Sequence, residues 1–146
     1  MPSSLPSNNF KILPILVGSP YEFILNGKLP ENEKINNILD RLQQNGVDAV
    51  IASDIAVILK AAERGLPVHI STQANITNIE AINFFSHWAT TVVLARELTL
   101  DKIKILSEKI KSENILGPNG KLIRIETFVH GALCMAVSGK CYMSLD

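Results

Sequence analysis

DAVIASDIAVILKAAERGLPVHIST, residues 48–72, decides the fold. Two short β-branched runs, DAVIA and PVHIS, flank one helical run, DIAVILKAAER. Arg64-Gly65 supplies the punctuation, because a helix that ends in a left-handed cap favours glycine there. Neither apolar run alternates with polar residues, as strands covered on both faces do not. The two strands are therefore expected to be parallel, with helices packed over them.

The same unit recurs on either side. KILPILV and ENEKINNILDRLQQ precede it, and TNIEAINFFSHW, TVVLA, TLDKIKILSEKI and LIRIETF follow. Asn45-Gly46 ends the first helix, and Thr77 with Glu80 has capping-box spacing. Strands are expected to begin near Asp48, Pro67, Thr91 and Leu122. No G-x-G-x-x-G follows a strand and no P-loop is present, so the usual nucleotide-binding marks of an open doubly wound sheet are missing. A complete eight-stranded barrel takes about 250 residues, and this chain has 146. The expected fold class is α/β: a partial (β/α) TIM-type barrel of about five parallel strands with intervening helices. It occupies residues 11–146, after an irregular segment at 1–10.

The composition suits one ordinary core, with 47% apolar residues, and 14 Lys plus Arg balance 14 Asp plus Glu, so no whole-chain field draws nucleic acid or membrane. MPSSLPSNNF lacks the basic and apolar parts of a signal peptide, and no apolar run approaches the ~20 residues of a membrane span. The expected location is cytoplasmic, with no membrane partner. Two cysteines in such a chain favour a metal or reactive role over a disulfide, although burial as small apolar side chains is the plainest use.

In a parallel array, residues just past the strands' C-terminal ends gather on one face. Here these are Ser53 and Asp54, then Ser71, Thr72, Gln73 and Asn75, then Arg96 and Glu97, then Glu126, Phe128 and His130. The opposite ends offer mainly turn residues, Gly46, Gly65 and Pro67. Acid, base, amide and guanidinium groups on one face make a polar pocket. Structural uses compete: Asp54 or Ser53 as a helix cap, Arg96 with Glu97 as a solvent ion pair, Gln73 and Asn75 as closures of their own loop. His69, inside a strand, and His87, near a helix end, read as packed or surface histidines. His130 differs, because it precedes a glycine in ETFVHGALCMAVSGKCYMS, residues 126–144.

That stretch holds Cys134 and Cys141 with six residues between them, which is neither a C-x-x-C redox pair nor a zinc-finger spacing. Two thiolates anchor only part of an iron-sulfur cluster, which takes about four. The run Glu126-x-Phe128-x-His130-Gly131-Ala132-Leu133-Cys134, followed by Ser138-Gly139-x-Cys141 and Ser144, resembles the signature of the collagenase-like peptidase family, family thirty-two among peptidases of unknown catalytic type. GVDAVIASD, PVHISTQANITN and VVLARELTL also resemble its successive strand ends, so the similarity runs from Lys11 to Ser144. Members open with an apolar-Ala-Pro-Ala-Gly run that MPSSLPSNNF lacks, and continue past the signature with two further cysteines. The chain is accordingly expected to be an internal piece of a longer protein.

The resemblance implies two activities. Some members are named as collagen-degrading proteases. Others are oxygen-independent hydroxylases of tRNA or ribosomal RNA bases, or of a quinone precursor, using an iron-sulfur cluster and in some cases prephenate as oxygen donor. The residues favour hydroxylation, since no Ser-His-Asp, Cys-His or H-E-x-x-H centre declares itself, although Cys134 with His130 stays open as a nucleophile and base whose geometry the spacing does not fix. The resemblance makes Cys134 and Cys141 ligands of a four-iron four-sulfur cluster whose set is incomplete in this chain. Glu126, His130, Arg96 and Glu97 are the expected catalytic residues, and Asp54, Gln73 and Asn75 the expected contacts to an RNA or peptide substrate of the intact protein. His130 or Glu126 would handle protons, and Arg96 would hold a carboxylate or phosphate by a two-pronged contact. The competing reading is an inactive fragment or subunit whose open sheet edge needs a second chain to complete the barrel.

Overall fold

Five strands follow one another through a single sheet in chain order. The computed structural model describes residues 12–14, 32–129 and 138. Strands β1 (Ile12–Pro14), β2 (Ala49–Ala52), β3 (Val68–Ile70), β4 (Thr91–Val93) and β5 (Arg124–Glu126) each pair in parallel with the next. Helices α1 (Asn32–Gln44), α2 (Ile55–Glu63), α3 (Ile79–Ser86) and α4 (Leu100–Ser112) alternate with them. The order β1-β2-β3-β4-β5 contains no reversal. A doubly wound sheet turns back at a switch point, whereas a (β/α) barrel advances strand by strand, so the expected partial barrel is the arrangement this order matches.

Strand starts fall within two residues of the expected ones. The largest shift is at β5, because Leu122 makes an antiparallel bridge to Leu116 and pairing with β4 begins only at Arg124. Gly46 and Gly65 adopt φ of +61° and +69°, the left-handed region expected of helix-ending glycines. Asp54 caps α2, its Oδ1 accepting the Val57 N–H at 3.0 Å. The expected capping box at Thr77 is corrected: Asn78 is the cap of α3, its Oδ1 accepting from the Ala81 N–H at 2.8 Å. Asn is the better N-cap, and starting the helix at Ile79 lets Ile79 and Ile82 bury together.

Strand residues of one parity, among them Val50, Val68, Ile70, Val92 and Ile123, join Leu39, Ile58, Ile82 and Leu106 from the four helices in one apolar cluster. All four helices therefore cover the same face of the sheet. Neighbouring helices are also cross-linked: Arg64, the α2 cap, donates from Nε to Asp40 Oδ1 at 2.7 Å and from Nη2 to Asn36 Oδ1 at 3.0 Å, both on α1. Residues of the other parity, Ala49, His69, Thr91 and Val93, are buried too, yet stand outside that cluster. They face the side that becomes the interior of a barrel. Burial on both faces thus holds for β2 to β4. It fails at β5, where Arg124 and Glu126 are exposed around a half-buried Ile125.

Truncating a helix-facing strand residue should be costly. Ile70→Ala, at a fully buried position, should lower unfolding free energy by about 2–5 kcal/mol. Ile105→Ala, on the exposed face of α4, should change it by less than about 0.5 kcal/mol. Urea unfolding monitored by circular dichroism measures both, and equal losses would contradict the assignment of faces.

Candidate functional site

The C-terminal ends of the strands carry the polar residues, and short-range chemistry arranges them into three groups. In the first, Ser53 beyond β2 donates its hydroxyl to Gln73 Oε1 at 3.0 Å, tying the β2 and β3 loops together. Gln73 lies in a 3-10 turn, Thr72–Ala74, that Ser71 caps through its own hydroxyl. Asn75 closes that turn in the left-handed conformation, φ 51°, which a short amide side chain tolerates. Asp54 is committed to the α2 cap. Asp54, Gln73 and Asn75 are all solvent-facing, with Gln73 the one hydrogen-bonded to a neighbouring loop.

The second group joins the β4 loop to the far end of the chain. Ser138, 3% exposed, donates its backbone N–H to Glu97 Oε1 at 2.7 Å, and its hydroxyl oxygen accepts the Arg96 backbone N–H at 3.2 Å. The Ser138 amide is the main reason the Glu97 carboxyl sits below the ordinary glutamate range. Beside this clasp a cleft of about 290 Å³ is lined by Leu94, Ala95, Arg96, Leu98, Thr127 and Phe128. Phe128 is 66% exposed at its rim.

The third group lies on the interior-facing side. Register sets His69 level with Thr91 and Thr91 level with Arg124. His69 Nδ1 stands 3.6 Å from Glu126 Oε2. Neither His69 Nδ1 nor Thr91 Oγ1 has a hydrogen-bond partner among the described residues, although both are shut off from solvent. Burial lowers the His69 pKa from 6.5, outweighing the attraction of Glu126, and Arg124 lowers it further. Burial and Arg124 both favour the neutral ring.

The expected residues are thus distributed unevenly. Glu97 and Arg96 meet at the clasp, and Glu126 meets His69, a histidine whose reading as merely packed understates its place. Strand parity was the signal for it: between Val68 and Ile70, which face the helices, His69 must face the interior. Ser138 stands in the signature run, but its contacts had no local signal, because its partners lie 41 and 42 residues away. His130, Cys134 and Cys141 lie outside the described residues. Among the described residues, no group of three or more His, Cys, Asp or Glu side chains is placed to hold a metal ion, and no helix is long and apolar enough to cross a membrane.

The opposite face, where turn residues were expected, also holds a cavity. A larger cavity of about 630 Å³ opens at the strands' N-terminal ends, lined by Asp48, Pro67, His87, Trp88, Asn119 and Arg124 among others. The tight Gly65-Pro67 turn leaves a hollow that Trp88, held edge-on to Phe84, does not fill. It is wider than the cleft beside the clasp, but it collects neither the clasp nor the Ser53–Gln73 pair.

Two acid-linked transitions should be separable. The unfolded chain protonates His69 near 6.5 while the folded chain resists, so stability falls as pH drops through that value and levels off only below the folded pKa. His69→Gln should flatten the decline between about pH 7 and pH 5 in denaturant midpoints. The Glu97 contribution is present above pH 4.5 and is lost as pH falls through its lowered value. At neutral pH, Glu97→Ala should speed hydrogen exchange of the Ser138 amide by on the order of tenfold, and Glu97→Gln, which keeps an acceptor, should restore much of the protection.

Residues 25–145 match the profile of Peptidase family U32. A collagenase of Porphyromonas gingivalis is 52% identical over 111 residues, covering 76% of this chain and 27% of its own length. The 23S rRNA 5-hydroxycytidine C2501 synthase of Escherichia coli is 38% identical over 115 residues, 78% of this chain and 16% of its own. The tRNA hydroxylation protein P of the same organism is 36% identical over 121 residues, 79% of this chain and 24% of its own. The chain spans about a quarter or less of the length of these relatives. No solved structure matches it at the same stringency.

Proposed function

The chain belongs to peptidase family U32, and from its polar face we propose that it serves in the hydroxylation of a base in tRNA or ribosomal RNA, in the cytoplasm, as part of a larger protein. One observation carries the choice. Among the described residues, the serines on this face are engaged structurally: Ser53 donates to Gln73, Ser71 caps a turn, and Ser138 accepts from a backbone N–H. A serine peptidase would instead present a hydroxyl to a basic imidazole. Among the described residues, His69 is the histidine on this side of the sheet, and it faces a carboxylate, Glu126, which makes a proton-handling pair. Replacing C–H by C–OH on a base requires a proton to leave the ring, which is work for such a group. The names of the tRNA and rRNA hydroxylation relatives support the substrate class.

Cys134 and Cys141 are the proposed contribution to a four-iron four-sulfur cluster, which would supply the redox chemistry when bound. Thiolates are the right donors, and this chain brings two of about four. Ser138, midway between them in sequence, is held at the strand ends by the clasp. Arg96, at the cleft, is the proposed phosphate contact, and Gln73 the proposed contact to a base edge. Asp54, Asn75, Glu97 and His130 complete the proposed pocket, Glu97 through the clasp.

Peptide cleavage is the second reading, favoured by the collagenase that is 52% identical. Anaerobic purification with iron and sulfide assays, together with nucleoside mass spectrometry of RNA from cells overproducing the protein, separates the two. Hydroxylation predicts bound iron and sulfide and an increase in hydroxylated nucleoside, all lost in a Cys134→Ser, Cys141→Ser double variant. Gelatin cleavage that survives the double variant and iron chelation would sink the hydroxylase reading.

A further inference from the structure

Glu126 projects from the last strand, half exposed, and its carboxylate would sample several rotamers if nothing held it. It does not stand free. Its Oε2 leans across β4 to within 3.6 Å of His69 Nδ1 on β3, a reach over two strand spacings, on the order of 10 Å. Thr91, on the strand between and on the same face, is short enough to leave the way clear. The separation is slightly beyond hydrogen-bond length, the loose spacing that catalytic pairs show before a substrate closes them.

Among the described residues, the ring's surroundings leave it one charged acceptor. Its register neighbours are Ile51 on β2 and Thr91 on β4, and the charges acting on it, Glu126 and Arg124, both come from β5. Arg124 can only donate, so of these two charges Glu126 is the one able to accept from an Nδ1–H, at a separation just beyond hydrogen-bond length. His69 is 9% exposed and flanked in sequence by the fully buried Val68 and Ile70, so its position is fixed by the core and not by solvent. An anchored donor beside a rotatable carboxylate is the relation of an orienting residue to a general base.

We propose that His69 is a positioning residue for Glu126: its Nδ1–H holds Oε2 and leaves Oε1 directed at the proton-bearing edge of a nucleobase. The nucleobase rests on the reading given under Proposed function, whereas the pairing of the two side chains does not. Holding the carboxylate in one rotamer acts on the chemical step more than on binding, so losing the imidazole should lower kcat and spare KM.

Two measurements test this on the full protein. In 15N-labelled protein, the His69 ring should carry its proton on Nδ1 at neutral pH. Glu126→Ala should release that tautomer and lower the ring's titration midpoint, since the carboxylate's attraction is gone. With bulk tRNA and rRNA as probes, His69→Phe should reduce the kcat for hydroxynucleoside formation by about tenfold or more, and His69→Asn, whose amide N–H replaces Nδ1–H, should recover most of it. A ring protonated on Nε2 and indifferent to Glu126→Ala overturns the proposal whatever the activity. A folded His69→Phe variant with wild-type kcat does so as well. Wild-type protein that modifies neither RNA but shows the Nδ1–H pairing supports the positioning role and overturns the RNA reading.

Discussion

Strand parity in a sheet that pairs in chain order is the constraint on which the rest of this molecule depends. Because β1 to β5 advance without reversal, the described crossover helices fall on one face, and alternate residues of β2 to β4 are claimed by the helical core. The alternate residues are left facing the other way. That is why His69 and Glu126, two strands apart and both absent from the helical cluster, come within 3.6 Å of each other. A one-residue slip of β3 would bring His69 among the helices and send Val68 and Ile70 inward, which the apolar cluster opposes.

Around that frame the molecule keeps two kinds of polar contact apart. Contacts that hold the architecture are short and saturated: the Asp54 cap, the Arg64 fork onto α1, the Ser53–Gln73 tie and the Ser138 clasp. The interior-facing contacts are loose, with two buried polar atoms lacking partners among the described residues and a carboxylate just out of bonding range. Buried unsatisfied groups cost about 1–3 kcal/mol each. Their concentration on the interior-facing side of β3 to β5 marks that side as the one whose requirements are set by something other than folding.

Much of the architecture was legible because it is locally encoded. Glycines 46 and 65 announce their helix ends through the backbone conformation that they permit, and the uninterrupted apolar runs announce two-sided burial. β5 was read less well, since Leu122 belongs by composition to the strand and by pairing to a separate bridge with Leu116. Thr77 and Glu80 had the right spacing, but Asn78 competed for the same cap and won. At the candidate site, the gathering of Gln73, Arg96, Glu97 and Glu126 at one end followed from the parallel order alone. What each of them touches did not, since Ser138 and His69 reach their partners through tertiary geometry that no short window of sequence contains.

The clasp has an entropic side. Measured along the chain, Glu97 and Ser138 are 41 residues apart. Once β5 is paired to β4, the free segment that must be closed is only the stretch from Glu126 to Ser138, 12 residues. By the logarithmic cost of loop closure the shortening is worth about 1 kcal/mol, comparable to the hydrogen bonds that the clasp makes. The clasp is therefore a dependent of the sheet's last pairing: it closes readily after β5 docks and against an added penalty before. Fraying of β5 thus loosens the clasp on the neighbouring β4 loop as well.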